Sequence, residues 1–119
     1  MRPPMAQVTV VVVTFNSAHC VPALAEALAQ GPAVVVVDNG SHDGTCDAVR
    51  ERLPRARLLA LPTNLGFGAA NNRALATVAT PYALLLNPDC LIRTDDVAAL
   101  WRTAEQWPQA AIVVPQLVD

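Results

Sequence analysis

The sequence predicts an α/β fold, an open and mostly parallel sheet with helices on both faces. Two observations support this class. Unbroken apolar runs such as Val10–Val13 and Val34–Val37 are typical of strands that are buried on both faces. Helix signals lie between successive runs, so strands and helices alternate along the chain. That alternation indicates parallel strands joined by right-handed crossovers.

The first strand is predicted at 8–14 and the second at 34–37, with a helix between them. Ser17 is the expected N-cap of this helix, Pro22 fits its first turn, and Gly31 ends it. Its apolar stripe consists of Val21, Leu24 and Leu28.

A polar, glycine-containing loop follows the second strand. Asp43 or Thr45 is expected to cap a short helix that runs to Arg52. A third strand is predicted at 57–61, near an edge of the sheet because arginines flank it.

The turn at 64–68 leads into an alanine-rich helix that is predicted to run to about Ala79. The fourth strand is predicted at 82–86. Its leucine run and the polar residues on both sides are typical of a buried strand.

Thr94 or Asp95 is expected to cap a last helix, which contains Val97 and Trp101. A fifth strand is predicted to begin at 111–114. Because an exposed edge strand can pair with another chain, a homodimer through that edge is an expectation.

Composition limits the classes of function. The 119 residues suit one domain, 1–119, and the net charge of −2 provides no basic surface for nucleic acid. All eight basic residues are arginine, which excludes P-loop and Schiff-base chemistry that requires lysine. No apolar run approaches the roughly 20 residues of a membrane span. Three cysteines without C-x-x-C spacing favour a reduced, cytoplasmic protein, namely Cys20, Cys46 and Cys90.

Polar residues follow three of the predicted strands. Phe15 and Asn16 follow the first, Asp38 follows the second, and Asn87 and Asp89 follow the fourth. Parallel strands have their carboxyl ends at one edge, where α/β sheets bind ligands, so these residues are expected to meet at one crevice. Asp38 there could accept hydrogen bonds from a ribose or a base. The alternative is that it forms a turn.

The segment Asn64-x-Gly66-x-Gly68 resembles a dinucleotide fingerprint only in part. It follows the third strand, and Asn71 stands where the third glycine is required, so NAD binding is not predicted. Its backbone amides and the helix after it could instead face a phosphate. Asp89 could provide one oxygen ligand to Mg²⁺ or Mn²⁺ at a diphosphate, or it could simply form a turn.

Four motifs in order resemble the amino-terminal half of glycosyltransferase family 2, specifically its rhamnosyltransferase-like bacterial enzymes of the GT-A fold. The motifs lie at 8–16, 36–45, 64–72 and 85–89, and the resemblance extends to Asp119. It implies a site for a nucleoside-diphosphate sugar, UDP- or dTDP-linked, with a divalent metal, Mg or Mn, at Asp89. Asn87 replaces an acid that many relatives have in that motif. The implied substrate-binding residues are Thr14, Phe15, Asn16, Asp38, Asn64, Gly66, Gly68, Asn71, Asn72 and Asn87.

The resemblance also implies inverting transfer to a glycan or lipid-linked acceptor of the cell envelope, at the inner face of the membrane. In that family the catalytic base and the acceptor site belong to a carboxyl-terminal half. We therefore expect this chain to be a truncated donor-binding half that is inactive alone. The alternative is a non-catalytic nucleotide- or protein-binding module. A nucleotidyltransferase is disfavoured, because no glycine-rich loop with basic residues follows the first strand.

Overall fold

A four-stranded parallel sheet forms the centre of the computed structural model, which describes residues 4–115. The strand order is β3-β2-β1-β4, and every adjacent pair is parallel, which confirms the predicted class. The strands are β1 (Val8–Thr14), β2 (Ala33–Asp38), β3 (Arg57–Ala60) and β4 (Tyr82–Leu86).

Helices cover both faces of the sheet, as predicted. They are α1 (Val21–Ala27), α2 (Thr45–Arg52), α3 (Phe67–Leu75) and α4 (Thr94–Gln106), with 3-10 turns at Pro4–Gln7 and Ala18–Cys20. The crossovers from β1 to β2 and from β2 to β3 run in one direction across the sheet, and the crossover to β4 runs back. Right-handed connections then place α1 and α2 on one face and α3 on the other.

The core consists of one hydrophobic layer on each face. On the first, Val10, Val12 and Val36 pack with Leu24 of α1 and Val49 of α2. On the second, valines of β1 and β2 pack with two alanines of α3, and the members are Val11, Val35, Val37, Ala70 and Ala74. The small alanine side chains bring α3 close to the sheet.

The fourth strand is an edge strand, so the prediction that it is buried is wrong. Leu85 is 48% exposed, although its register partner Val11 is buried. Leu85 is exposed because α3 packs on β1 and β2. The hydrophobic layer on that second face of the sheet includes no residue of β4. The placement of β3 near an edge is confirmed.

The predicted fifth strand is not formed at 111–115, so this prediction is also wrong. Ile112 and Val114 are 81% and 74% exposed. A β-branched run becomes a strand only where a neighbour supplies hydrogen bonds, and within residues 4–115 β4 pairs with β1 alone. The chain beyond 115 lies outside the described residues, and a homodimer through an exposed edge stays a prediction.

Several helix ends differ from expectation, and α1 ends at Ala27 rather than at Gly31. Helix α3 ends at Leu75 rather than near Ala79, because the amide of Thr77 donates to the carbonyl of Ala74 and the chain continues in tight turns. Pro22 does lie in the first turn of α1, but Ser17 precedes a 3-10 turn and makes no side-chain cap bond.

The other two predicted caps are also shifted. Gly44, with φ of 85°, occupies the N-cap of α2, and Thr45 is the first helical residue. Arg93 precedes α4, and its amide donates to Asp96 Oδ2 at 3.1 Å. Asp96, in the first turn, thus bonds the N-cap amide in place of a cap by the expected Thr94 or Asp95.

Helix α4 packs against the 3-10 turn at Pro4–Gln7. Its Val97 is buried, and Trp101 Nε1–H donates to Gln7 Oε1 at 3.4 Å. Among residues 4–115, no helix has the length and apolar character needed to cross a bilayer.

Candidate functional site

The candidate site lies at the carboxyl edge of the sheet. The chain leaves β1 towards β2 on one side, while β4 lies on the other side, so the strand order reverses between β1 and β4. Loops diverge at such a point and leave a crevice outside the strand ends. The segments after β1, β2, β3 and β4 all begin at this edge.

Asp38 lies inside this edge and not on its surface. Its side chain is 1% exposed, and its Oδ1 accepts hydrogen bonds from the hydroxyls of Thr14 at 2.7 Å and Ser41 at 2.6 Å. Its Oδ2 accepts the Ser41 amide at 2.8 Å. Asp38 therefore connects the end of β1 with the loop after β2.

The hydrogen bonds keep Asp38 ionised. Burial alone raises the pKa of this carboxyl, but hydrogen bonds from Ser41, Thr14 and the Cys46 thiol outweigh burial and hold the pKa below its usual value. Burial, and then the neighbouring Asp38, raise the pKa of Cys46 to about 11, so this thiol remains a donor at neutral pH.

Asn16 joins the same two loops from the solvent side. Its backbone has a left-handed φ of 49°, which asparagine tolerates better than most residues. Its amide donates to Ser41 Oγ at 2.7 Å, and its Oδ1 accepts the His42 amide at 2.9 Å. The preceding Phe15 is 47% exposed and leaves an aromatic ring accessible at the edge.

A third connection links the loop after β2 with the start of the 3-10 turn that precedes α1. Asp43 Oδ2 accepts the Ala18 amide at 3.1 Å, and Asp43 Oδ1 accepts the amide and hydroxyl of Thr45. The Thr45 hydroxyl oxygen accepts the Ser17 amide at 3.0 Å. The Thr45 hydrogen bonds, with those from Ala18, lower the pKa of Asp43.

Asn39 joins the loop after β2 to the turn after β3. This side chain is 3% exposed, its Oδ1 accepts the Leu65 amide at 3.2 Å, and its Nδ2 donates to the Gly66 carbonyl at 3.2 Å. Next to it, Gly40 has φ of 79°, and a Cβ there would lie 2.9 Å from Thr63 Cα. The two loops are therefore in close contact.

The predicted donor segment 64–72 divides into exposed and buried parts. Asn64, Gly66, Gly68 and Asn72 are exposed, and Asn64 Oδ1 accepts the Gly66 amide at 2.8 Å. Asn71 is instead buried, and its Nδ2 donates to the Phe67 carbonyl one turn earlier. Its Nδ2 is therefore bonded within α3.

The segment after β4 has fewer connections. Asn87 and Asp89 are exposed, and the Cys90 amide donates to the Asn87 carbonyl at 3.0 Å in a tight turn. In the described part of the chain, no three His, Cys, Asp or Glu side chains gather at one point. Asp89 would thus be a single protein ligand for a divalent ion, which suits an ion whose other ligands are diphosphate oxygens and water.

The structure brings Thr14, Asn16 and Asp38 together. It places the 64–68 turn against the same loops through Asn39, and no hydrogen bond among residues 4–115 links the side chains of Asn87 or Asp89 to them. The connecting residues that we did not single out as site residues are Asn39, Ser41 and Asp43. All three have short polar side chains and lie in the loop that follows β2, and this pattern could have identified them.

A groove of about 490 Å³ lies at the opposite end of the sheet, between the ends of α1 and α2. Its lining is mostly apolar and includes Leu28 and Leu53, and Arg55 Nη2 donates to the Ala29 carbonyl at 2.9 Å within it. None of the predicted site residues lines this groove.

The comparisons with known proteins agree with the fold. The family described as glycosyl transferase family 2 matches residues 9–119. An N-acetylglucosaminyl-diphospho-decaprenol L-rhamnosyltransferase of Mycobacterium tuberculosis is 34% identical over 97 residues, which cover 72% of this chain and 32% of that protein. The succinoglycan biosynthesis protein ExoO of Rhizobium meliloti is 36% identical over 88% of this chain and 33% of its own length. The chain thus spans about a third of the relatives that it matches.

A solved structure, S. aureus TarS 1-349, superposes on 92% of this chain and 38% of its own, with a TM-score of 0.74 and 25% identity. Its complex with UDP superposes on 83% of this chain and 33% of its own, with a TM-score of 0.71 and 28% identity. TarS and the rhamnosyltransferase are GT-A glycosyltransferases, so the GT-A fold expected from the sequence is confirmed.

Proposed function

The chain belongs to glycosyl transferase family 2, and from that premise we propose that its carboxyl edge binds a nucleoside-diphosphate sugar for inverting glycosyl transfer. The observation that carries the proposal is the connected set of loops after β1, β2 and β3, joined by Asp38, Asn39 and Asn16. Loops that are ordered before a ligand arrives reduce the entropy cost of binding. The UDP complex of the similar TarS structure supports UDP as a candidate nucleotide.

We assign the nucleoside to the β1–β2 side of the crevice. The half-exposed ring of Phe15 offers a flat apolar surface to a base, and Asn16 and Asn64 are exposed polar side chains in the loops at the same edge of the sheet. Asp38 was expected to touch the nucleoside, but its carboxylate already accepts hydrogen bonds from Thr14 and Ser41. Its proposed contribution is therefore chiefly to hold Ser41 and the end of β1 in place.

We assign the diphosphate to the side of the crevice near β4. A divalent ion, Mg²⁺ or Mn²⁺, would be held there by Asp89, with Asn87 beside it. When bound, such an ion neutralises the diphosphate and makes it a better leaving group. The exposed 64–68 turn and the start of α3 would face the phosphates from the other side, where the amides of a helix's first turn favour an anion.

The proposed reaction is attack by an acceptor hydroxyl on the anomeric carbon, with loss of the nucleoside diphosphate and inversion at that carbon. The name of the mycobacterial relative indicates a lipid-linked acceptor for that protein, and we propose a glycan or lipid-linked acceptor here. The chain spans about a third of the length of its relatives. We therefore propose that it contributes donor binding, and we assign the catalytic base to none of its residues.

Calorimetry tests this proposal. The 119-residue chain is titrated with UDP and with dTDP, each with Mn²⁺, alongside Asp38→Ala and Asp89→Ala variants. Binding by the parent and weaker binding by both variants are expected. Absence of binding by the parent, or equal binding by all three proteins, would count against a donor site.

A second candidate function is a non-catalytic module that binds another protein. It is favoured by the unpaired outer edge of β4 in the described chain and by Leu85, which is 48% exposed on the face that α3 leaves uncovered. Light scattering separates the two candidates. A stable dimer that Leu85→Gln converts to monomer, together with no affinity for nucleotide, would favour this module over donor binding.

A further inference from the structure

Asn39 is a buried polar side chain whose hydrogen bonds go to backbone atoms far along the chain. Its Oδ1 accepts the Leu65 amide, and its Nδ2 donates to the Gly66 carbonyl. We refer to these two hydrogen bonds as the Asn39 bridge. At 3% exposure the side chain is almost inaccessible to a ligand that approaches the edge.

The Asn39 bridge acts on the start of α3 as well as on the turn before it. The Gly66 carbonyl that Asn39 contacts also accepts the Ala70 amide at 3.1 Å, which is the first hydrogen bond of the helix. Gly66 itself has φ of 91°, a conformation that glycine adopts readily and other residues rarely do. The same side chain thus holds both the turn and the first helical hydrogen bond.

The other support for this turn is weaker. Asn64 Oδ1 accepts the Gly66 amide, but Asn64 is exposed and the bond is local. The close approach of Gly40 to Thr63 supports the residue before the turn. Only the Asn39 bridge, among the described hydrogen bonds of residues 65 and 66, connects them to the loop after β2.

We propose that Asn39 is a positioning residue of the donor site: it sets where the 64–66 turn and the start of α3 face the ligand, without touching the ligand. The inference rests on the proposed function. It is supported by the burial of Asn39, by the use of both its amide atoms, and by the exposure of Leu65 and Phe67 beside it. An amide is needed at this position because it is donor and acceptor at once.

Aspartate would supply only half of the bridge. A carboxylate accepts the Leu65 amide, but its second oxygen faces the Gly66 carbonyl and cannot donate to it. Asn39→Asp and Asn39→Ala therefore separate the two hydrogen bonds. Thr9→Val is the matched control, since it removes a part-buried side-chain bond to Thr80 at the amino end of the sheet.

The test combines amide hydrogen exchange by NMR with UDP titration of the same 119-residue proteins in the presence of Mn²⁺. The Val11 amide, in the central strand, reports global opening. In Asn39→Ala the Leu65 amide should exchange roughly tenfold faster relative to Val11, and UDP affinity should fall about three- to tenfold. In Asn39→Asp the Leu65 amide should stay slow while affinity still falls. Thr9→Val should change neither the exchange of Leu65 relative to Val11 nor the UDP affinity.

Each other outcome is decisive. Lower affinity in Asn39→Ala with unchanged Leu65 exchange would mean that Asn39 touches the ligand, which overturns a positioning role. Faster exchange with unchanged affinity would mean that the bridge serves the fold only, which also overturns it. A parent chain that binds no nucleotide would instead refute the proposed function, and the Leu65 exchange would still decide whether the bridge holds the turn.

Discussion

Thr14 and Asp38 are register partners at the ends of the two central strands, and the Thr14 hydroxyl donates to Asp38 Oδ1 at 2.7 Å. This contact joins β1 and β2 at the point where both chains turn away from the sheet. Because Asp38 also accepts two hydrogen bonds from Ser41, one buried carboxylate orients the ends of two strands and the loop between β2 and α2.

Acid should destabilise the protein through Asp38 and Asp43. Both have a pKa below the ordinary value of 3.8 in the folded state, so the unfolded chain binds protons more readily. Their contribution to stability is complete above about pH 4 and is lost as the pH falls through the lower folded pKa. Urea unfolding from pH 7 to pH 2.5 measures this. Asp38→Asn should flatten the profile, and a variant with the parent's profile would contradict the assignment.

Gly40→Ala should cost about 2–4 kcal/mol of unfolding free energy, because a Cβ would collide with the Thr63 backbone at a left-handed φ. Gly44→Ala is the matched control. Gly44 has a similar φ of 85° but open space around it, so only the backbone cost of about 1–2 kcal/mol applies. Denaturant unfolding of both variants measures the difference. Equal losses would show that the contact between the two loops contributes nothing.

Phe15→Ala should weaken UDP binding about three- to tenfold, since stacking on an aromatic ring contributes about 0.5–1.5 kcal/mol. Stability should change little, because the ring is 47% exposed. Trp107→Ala removes another exposed aromatic side chain, 66% exposed and after α4, and should leave the affinity unchanged. Calorimetry compares the three proteins. The same loss in both variants would argue that the effect is non-specific.

Asp89→Ala should abolish the dependence of UDP affinity on Mn²⁺. The side chain is exposed and makes no hydrogen bond to the described residues, so the melting temperature should be unchanged. Asp95→Ala, in the exposed first turn of α4, is the control for loss of one negative charge. Titrations with and without Mn²⁺ provide the measurement. If Asp89→Ala keeps the parent's response to Mn²⁺, Asp89 is not a metal ligand.

Much of the sheet could be predicted because its signals are local. The valine runs of β1 and β2 specify strands that are buried on both faces, and the polar residues after them mark the carboxyl edge. The exposure of Leu85 could not be predicted, since it depends on which strands α3 covers. The prediction of a fifth strand was wrong for a related reason. A strand requires a hydrogen-bonding partner, and its own residues do not specify that partner.

The site was predicted in outline and not in its connections. Asn16 and Asp38 were expected to lie together, and both bond to Ser41. The burial of Asp38 and Asn71 was not predicted. Asn39 was missed because its hydrogen bonds reach residues 26 and 27 positions away and end on backbone atoms, which carry no side-chain signal. Polar residues of this kind acquire a role only when the loops are assembled.

We propose that the carboxyl edge, and not the groove at the other end of the sheet, binds the nucleotide. A titration of the ¹⁵N-labelled chain with UDP and Mg²⁺, followed by amide chemical shifts, tests it most directly. We predict that the largest shifts fall on Phe15, Asn16, Leu65 and Asp89, while Leu53 and Ala56 in the groove stay unchanged. Shifts confined to the groove, or no shifts at millimolar UDP, would contradict the account.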